Sequence, residues 1–141
     1  MIDDKSNRDE TEGSIRRLKK LFGRMKRILI IDEDTDWLAA MRSFFERSGH
    51  EASLASSYPE GYELLEAILP DLIFLDIKPG DPTGLLLYKK IKQQKKLALI
   101  PIIVTSHNAD ATKLYQPYGE SAFLKKPFQL SRLMKTLRIY L

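Results

Sequence analysis

Pro70-Asp71-Leu72-Ile73-Phe74-Leu75-Asp76 is the stretch on which the fold turns. Four consecutive apolar residues run straight into a carboxylate. Such a run, too short for a helix and without polar alternation, suits a strand buried on both faces, as in parallel sheets covered by helices. As a wholly apolar run near the middle of the chain that ends in a carboxylate, it predicts the central strand. The same form recurs on either side of it. Ile28-Leu29-Ile30-Ile31 breaks into Asp32-Glu33-Asp34, Leu99 to Val104 leads to Thr105-Ser106, and Ala122 to Lys125 precedes Lys126-Pro127. Glu51 to Ala55 reads as a further strand.

Amphipathic segments separate these runs. Trp37 to Ser48 predicts a helix with Asp36 as N-cap, Gly49 as stop, and Leu38, Met41 and Phe45 on its inner face. Ser57-Tyr58-Pro59-Glu60 is a capping box with proline at the first helical position, opening a helix that Pro70 ends after about Leu69. Lys78 to Gly84 is a turn by composition. Gly84 to about Gln94 is a helix with Leu87, Tyr88 and Ile91 on one side. A short helix over Ala109–Tyr115 is broken by Pro117 and Gly119, and Ser131 to Leu141 forms the last. Strands alternating with helices predict a doubly wound α/β fold, a five-stranded parallel sheet with helices on both faces.

The composition bounds what such a domain does. At 141 residues, 43% apolar and 30% charged, the chain is one globular domain with a short appendage. The absence of cysteine removes disulfides, thiolate zinc sites, iron–sulfur clusters and cysteine nucleophiles, and it fits a cytoplasmic location. His50 and His107 are too few for a histidine-built metal site. No apolar run is long enough to span a membrane, and acids beside Met1 speak against a secretory signal. The net charge of +4 is unevenly placed: residues 1–27 carry nine basic and five acidic groups, residues 28–141 fourteen of each. The folded part is neutral and carries no signal for nucleic acid. Ile15, Leu18, Leu21, Phe22 and Met25 recur at helical spacing among Arg16, Arg17, Lys19, Lys20, Arg24, Lys26 and Arg27. They predict a basic amphipathic helix within a leader, residues 1–25, ahead of a folded domain, residues 26–141. Residues 1–14 are read as disordered and the helix as solvated and partly frayed; the other uses of such a helix are to lie on an anionic membrane surface, touch nucleic acid or pack on a partner.

In open α/β sheets, ligands bind beyond the carboxyl ends of the strands. Asp32 and Glu33 end the first strand, Asp76 the third, Thr105 and Ser106 the fourth, Lys125 and Lys126 the fifth. Three clustered carboxylates need a cation or a shared proton, and oxygen ligands in an open site favour magnesium. Magnesium beside a carboxylate, a lysine and a hydroxyl is equipment for phosphoryl transfer. Asp76 is the predicted nucleophile, held by a central strand among apolar neighbours.

Taken together, these residues resemble the receiver domains of two-component response regulators. The likeness covers about Lys26 to Leu141 and rests on Ile28 to Glu33, Pro70 to Asp76, Pro101 to Ser106, and Gly119 through Phe123 to Lys126-Pro127-Phe128. It implies a flavodoxin-like fold and a phosphorelay role. Asp76 would take a phosphoryl group from a sensor histidine kinase or phosphotransfer protein. Asp32 and Glu33 would hold Mg2+ with Asp76 and the backbone carbonyl of Lys78. Ser106 and Lys126 would contact the phosphoryl group, and Ser106 and Phe123 would form the switch. The face of the fourth helix, fifth strand and fifth helix after the leader would meet a downstream protein. On this reading the chain is a signalling module rather than an enzyme, limited to Mg2+-dependent self-phosphorylation and autodephosphorylation. It is also compatible with a fragment of a longer protein.

The likeness has departures. The acidic pair is Asp-Glu rather than Asp-Asp, and Pro79-Gly80 stands where Met-Pro is usual. His107 replaces a small residue after the switch hydroxyl, Lys78 adds a cation near Asp76, and the chain between Ser106 and Lys126 is about two residues short. These support an alternative, a degenerate receiver that binds its partner without phosphorylation. A phosphatase of the haloacid dehalogenase type, suggested by Asp32-Glu33-Asp34-Thr35, fails because no acid follows Lys126. A dinucleotide site fails because no glycine-rich loop follows the first strand.

Overall fold

The computed structural model describes residues 8–21, 23–119 and 122–140. Its elements are α1 (Arg8–Leu21), β1 (Arg27–Ile31), α2 (Thr35–Arg47), β2 (Glu51–Ala55), α3 (Tyr58–Ile68), β3 (Leu72–Asp76), α4 (Pro82–Gln93), β4 (Ile102–Ser106), α5 (Thr112–Tyr115), β5 (Ala122–Lys125) and α6 (Leu130–Tyr140). The sheet is parallel throughout in the order β2-β1-β3-β4-β5, with β3 at its centre as its composition predicts.

The unalternated strands explain the two cores. Side chains alternate across a strand, so Ile28, Ile30, Leu72, Phe74, Ile103 and Leu124 face one way. Leu29, Ile31, Ile73, Leu75, Ile102 and Val104 face the other. The first set is covered by Trp37, Leu38, Met41 and Phe45 of α2 and by Leu130, Leu133 and Leu137 of α6. The second is covered by Leu65 of α3, Leu87, Tyr88 and Ile91 of α4, and Tyr115 of α5.

Five expectations change. The leader helix is not solvated: Ile15 and Leu18 are buried in the core that α2 and α6 share, and Glu12 pairs with Arg47. Helix already holds residues 8–14, read as disordered, while residues 1–7, Phe22 and the Leu21 side chain lie outside the described residues. The N-cap of α2 is Asp34, whose Oδ1 accepts from the Trp37 N–H at 3.1 Å, and not Asp36. β4 starts at Ile102; Leu99 is 91% exposed in a turn, because the extended chain begins only where the Pro101 carbonyl accepts from the Ile73 N–H. The short helix is a succession of a 3-10 turn, α5 and a second 3-10 turn, Gln116–Tyr118, ending at Gly119. Ser57 caps α3 as its capping box predicts, accepting from the Glu60 N–H.

Candidate functional site

Strand parity and strand ends together assemble the site. Asp32 continues the parity of Ile28 and Ile30, Asp76 that of Leu72 and Phe74, and Lys126 that of Leu124. All three therefore emerge on the α2–α6 side at the carboxyl edge. They are buried, with 4%, 4% and 5% of their surface exposed. The Lys126 ammonium donates to Asp32 Oδ2 and, at 3.4 Å, to Asp76 Oδ1. The second oxygen of Asp32 accepts the Asp34 N–H at 3.0 Å. A buried charge is tolerable only when paired in this way.

Lys126 is itself held from below. Its ammonium lies 5.2 Å from the centre of the Trp37 ring, which meets Phe128 edge-on at 5.2 Å. Its backbone N–H donates to the Ser106 carbonyl at 2.7 Å, and its peptide bond to Pro127 is cis. Trp37, from the first turn of α2, is thus the floor under the lysine.

Burial, and next the Asp32 charge, push the Asp76 carboxyl above the usual range; Lys126 and His107 pull it back. His107 lines the same cleft as Asp32, Glu33, Asp34, Asp76, Lys78 and Lys126, as its position after Ser106 predicts.

Glu33 behaves differently from the other two acids. It is exposed, and its carboxylate pairs with the Lys78 ammonium across the mouth of the cleft. Among the described residues no three ligating side chains converge closely enough to hold a metal, so the expected three-carboxylate cluster is a buried pair with Glu33 at the rim. The Lys78 carbonyl accepts from the Asp81 N–H at 3.1 Å, closing a turn with Pro79 and Gly80 at its centre. Gly80 has φ +92, the left-handed conformation that the third residue of a type II turn demands. This turn is built by Pro79-Gly80, the pair that stands where Met-Pro is usual.

Ser106 is buried and lies, with Phe123, on the opposite strand parity from Asp76. Its Oγ accepts from the Asn108 N–H at 3.2 Å. Thr105, not Ser106, is the register neighbour of Asp76 on β4. Phe123 is half-buried against the α4–α5 core.

Sequence reasoning missed Tyr58. Its hydroxyl donates to the Asp76 backbone carbonyl at 2.7 Å, and it shares a cleft with Asp32, Asp76, Lys78 and Asp81. The only signal was an aromatic in the first turn of a helix expected to start beside the strand ends.

Comparison with known proteins adds the family. Residues 28–138 match the family model of the response regulator receiver domain. The polar-differentiation response regulator DivK of Brucella ovis is 29% identical over 119 residues, spanning 82% of this chain and 96% of that protein. Among solved structures, a two-component response regulator from Clostridium difficile superposes with TM-score 0.71 at 28% identity, covering 82% of this chain and 94% of that one. The chemotaxis protein CheY4 of Vibrio cholerae superposes with TM-score 0.74 at 22% identity, over 83% and 99%, and so attests the flavodoxin-like fold alone. With this fold, and with a family match spanning all five strands, the chain belongs to the response regulator receiver domains.

Proposed function

We propose that this receiver accepts a phosphoryl group on Asp76 from a histidine kinase or phosphotransfer protein and signals through protein contacts. The observation that carries the reading is the buried Asp32–Lys126–Asp76 network at the carboxyl edge of the sheet. A carboxylate held rigid, raised above its usual pKa and flanked by an ammonium is suited to nucleophilic attack on phosphorus. One Asp76 oxygen forms the new P–O bond as the P–N bond of the donor's phosphohistidine breaks. Lys126, 3.4 Å from Asp76 Oδ1, stands ready to neutralise the incoming charge.

The donor types suit a hard divalent ion, though Glu33 now points to Lys78: Asp32, Asp76 and Glu33 line one cleft, and carboxylate and carbonyl oxygens are what Mg2+ prefers. Asp32, Glu33, Asp76 and the Lys78 carbonyl are the groups that would hold it. Bound there, Mg2+ supplies charge neutralisation to the transferring phosphoryl oxygens. Glu33 must then leave Lys78. Ser106 and Phe123 lie on the same side of the sheet, so the proposed coupling between them needs no passage through it. Output belongs to the face of α5, β5 and α6. No described helix is long and apolar enough to cross a membrane, and the proposed setting is cytoplasmic.

A second reading, a phosphate-independent binding module, is favoured by one observation: α5 is a four-residue helix between two 3-10 turns, little for a switch to move. Intact mass after incubation with Mg2+ and acetyl phosphate separates the two. One added phosphoryl group, absent without Mg2+ and absent in Asp76→Asn, is expected. An unmodified yet folded wild type would transfer the assignment to the binding module.

A further inference from the structure

We propose that Tyr58 is a positioning residue for metal binding, its hydroxyl clamping the backbone from Asp76 to Lys78 so that the acceptor strand end and the Lys78 carbonyl are held in register. The inference rests on the reading of Asp76 as a metal-assisted phosphoacceptor.

Helix α3 does not need this tyrosine. Ser57 supplies the cap and Pro59 the preset backbone angle of the first turn. The side chain instead reaches across to the end of β3. There β1 has already stopped, since Ile31 pairs with Leu75 and no β1 residue is in register with Asp76. The Asp76 carbonyl is thus beyond the ladder on that side, and the Tyr58 hydroxyl donates to it at 2.7 Å. Lys78 lines the same cleft as Tyr58. The hydroxyl therefore holds the peptide group between Asp76 and Ile77, just ahead of the proposed ligand carbonyl.

The ring is held from the other side by Gly84. A Cβ on Gly84 would lie 2.6 Å from the Tyr58 oxygen and 2.8 Å from its Cζ, closer than real contacts allow. Glycine at the start of α4 is thus the space in which the tyrosine sits. The loop it secures is the one whose Pro79-Gly80 turn departs from the family pattern.

The test is Tyr58→Phe in the full chain, with Tyr62→Phe as control. Tyr62 sits one turn on in α3, and its hydroxyl accepts from Gln94 Nε2, away from the site. Mg2+ affinity is read from the fluorescence of Trp37, the single tryptophan, whose ring lies 5.2 Å from the Lys126 ammonium. Tyr58→Phe should weaken Mg2+ binding about three- to tenfold, the scale of one lost hydrogen bond. Labelling by acetyl phosphate should slow at limiting Mg2+ and recover at saturating Mg2+. Tyr62→Phe should do neither. Should Tyr58→Phe fold poorly, Gly84→Ala, which displaces the hydroxyl, is read in the same way. An unshifted Mg2+ titration in the Tyr58 variant, or an equal shift in the control, overturns the inference. A wild type that binds Mg2+ but takes no label overturns only the phosphorylation reading; one that binds no Mg2+ overturns both.

Discussion

Single residues in this domain carry opposite electrostatic duties. Asp32 and Asp76 are buried with a partner ammonium, whereas His50 is buried in a form that must stay neutral. Its Nδ1 accepts the Lys26 N–H at 3.0 Å, and burial, then the Lys26 charge, hold its pKa below 6.5 against the pull of Asp71. A folded pKa below the unfolded one contributes stability above 6.5 that is lost as pH falls through the folded value. The urea midpoint should therefore drop as pH is lowered from 7 into the range below 6.5, and His50→Gln, which retains an acceptor, should flatten that slope. An unchanged slope in the variant would assign the loss to carboxylates. At this scale the sequence was most informative where chemistry follows from strand position. Asp32, Asp76 and Lys126 each end or directly follow a strand on the same parity, and parity can be counted. The Glu33–Lys78 pair and the Tyr58 hydroxyl could not be counted, because each joins a loop or helix start to another element across space.

Elements were legible where their signals were local. The apolar run of β3 and the Ser57 capping box needed no tertiary knowledge. Two boundaries failed because competing local signals were equally good. Asp34 and Asp36 both suit an N-cap, and the choice fell to Asp34 because Asp32 is still tied to the sheet edge, so the chain turns into helix at Thr35. Asp34→Ala should cost about 1 kcal/mol. Asp36→Ala, which removes a first-turn acid and no cap, should stay within about 0.5 kcal/mol. Chemical denaturation of the two variants side by side checks the ranking, and a larger loss in Asp36→Ala would refute the cap assignment. The start of β4 was misread because Leu97 and Leu99 extend its apolar run. Leu97 is buried as a plug beneath a turn while Leu99 points to solvent, and only the β3 register separates them from the strand.

The molecule as a whole is an α/β sandwich with one helix more than its strand count explains. Helix α1 was invisible as a packed element because its charge dominates its composition, and a four-residue inward stripe in a basic segment reads as a surface helix. That stripe, Thr11, Ser14, Ile15 and Leu18, is buried. The α2–α6 face thus has an outer layer, and the sites below it are linked to that layer through α2, which carries Trp37 under Lys126. A solvated leader would be dispensable; a packed one is not. Removal of residues 1–25 would uncover the apolar surface of α2 and α6 around Leu133, Met134 and Leu137. Leu18→Ala alone should cost about 2–5 kcal/mol, the range for a fully buried leucine, while Lys19→Ala on the exposed side should cost little. Thermal melts should order the variants as wild type and Lys19→Ala together, Leu18→Ala well below, and the truncation at or below Leu18→Ala. A truncated domain that melts with the wild type would show that α1 rests on a self-sufficient core. With the expected order, α1 is the third helix of that layer, and the domain that folds as a unit begins near Arg8.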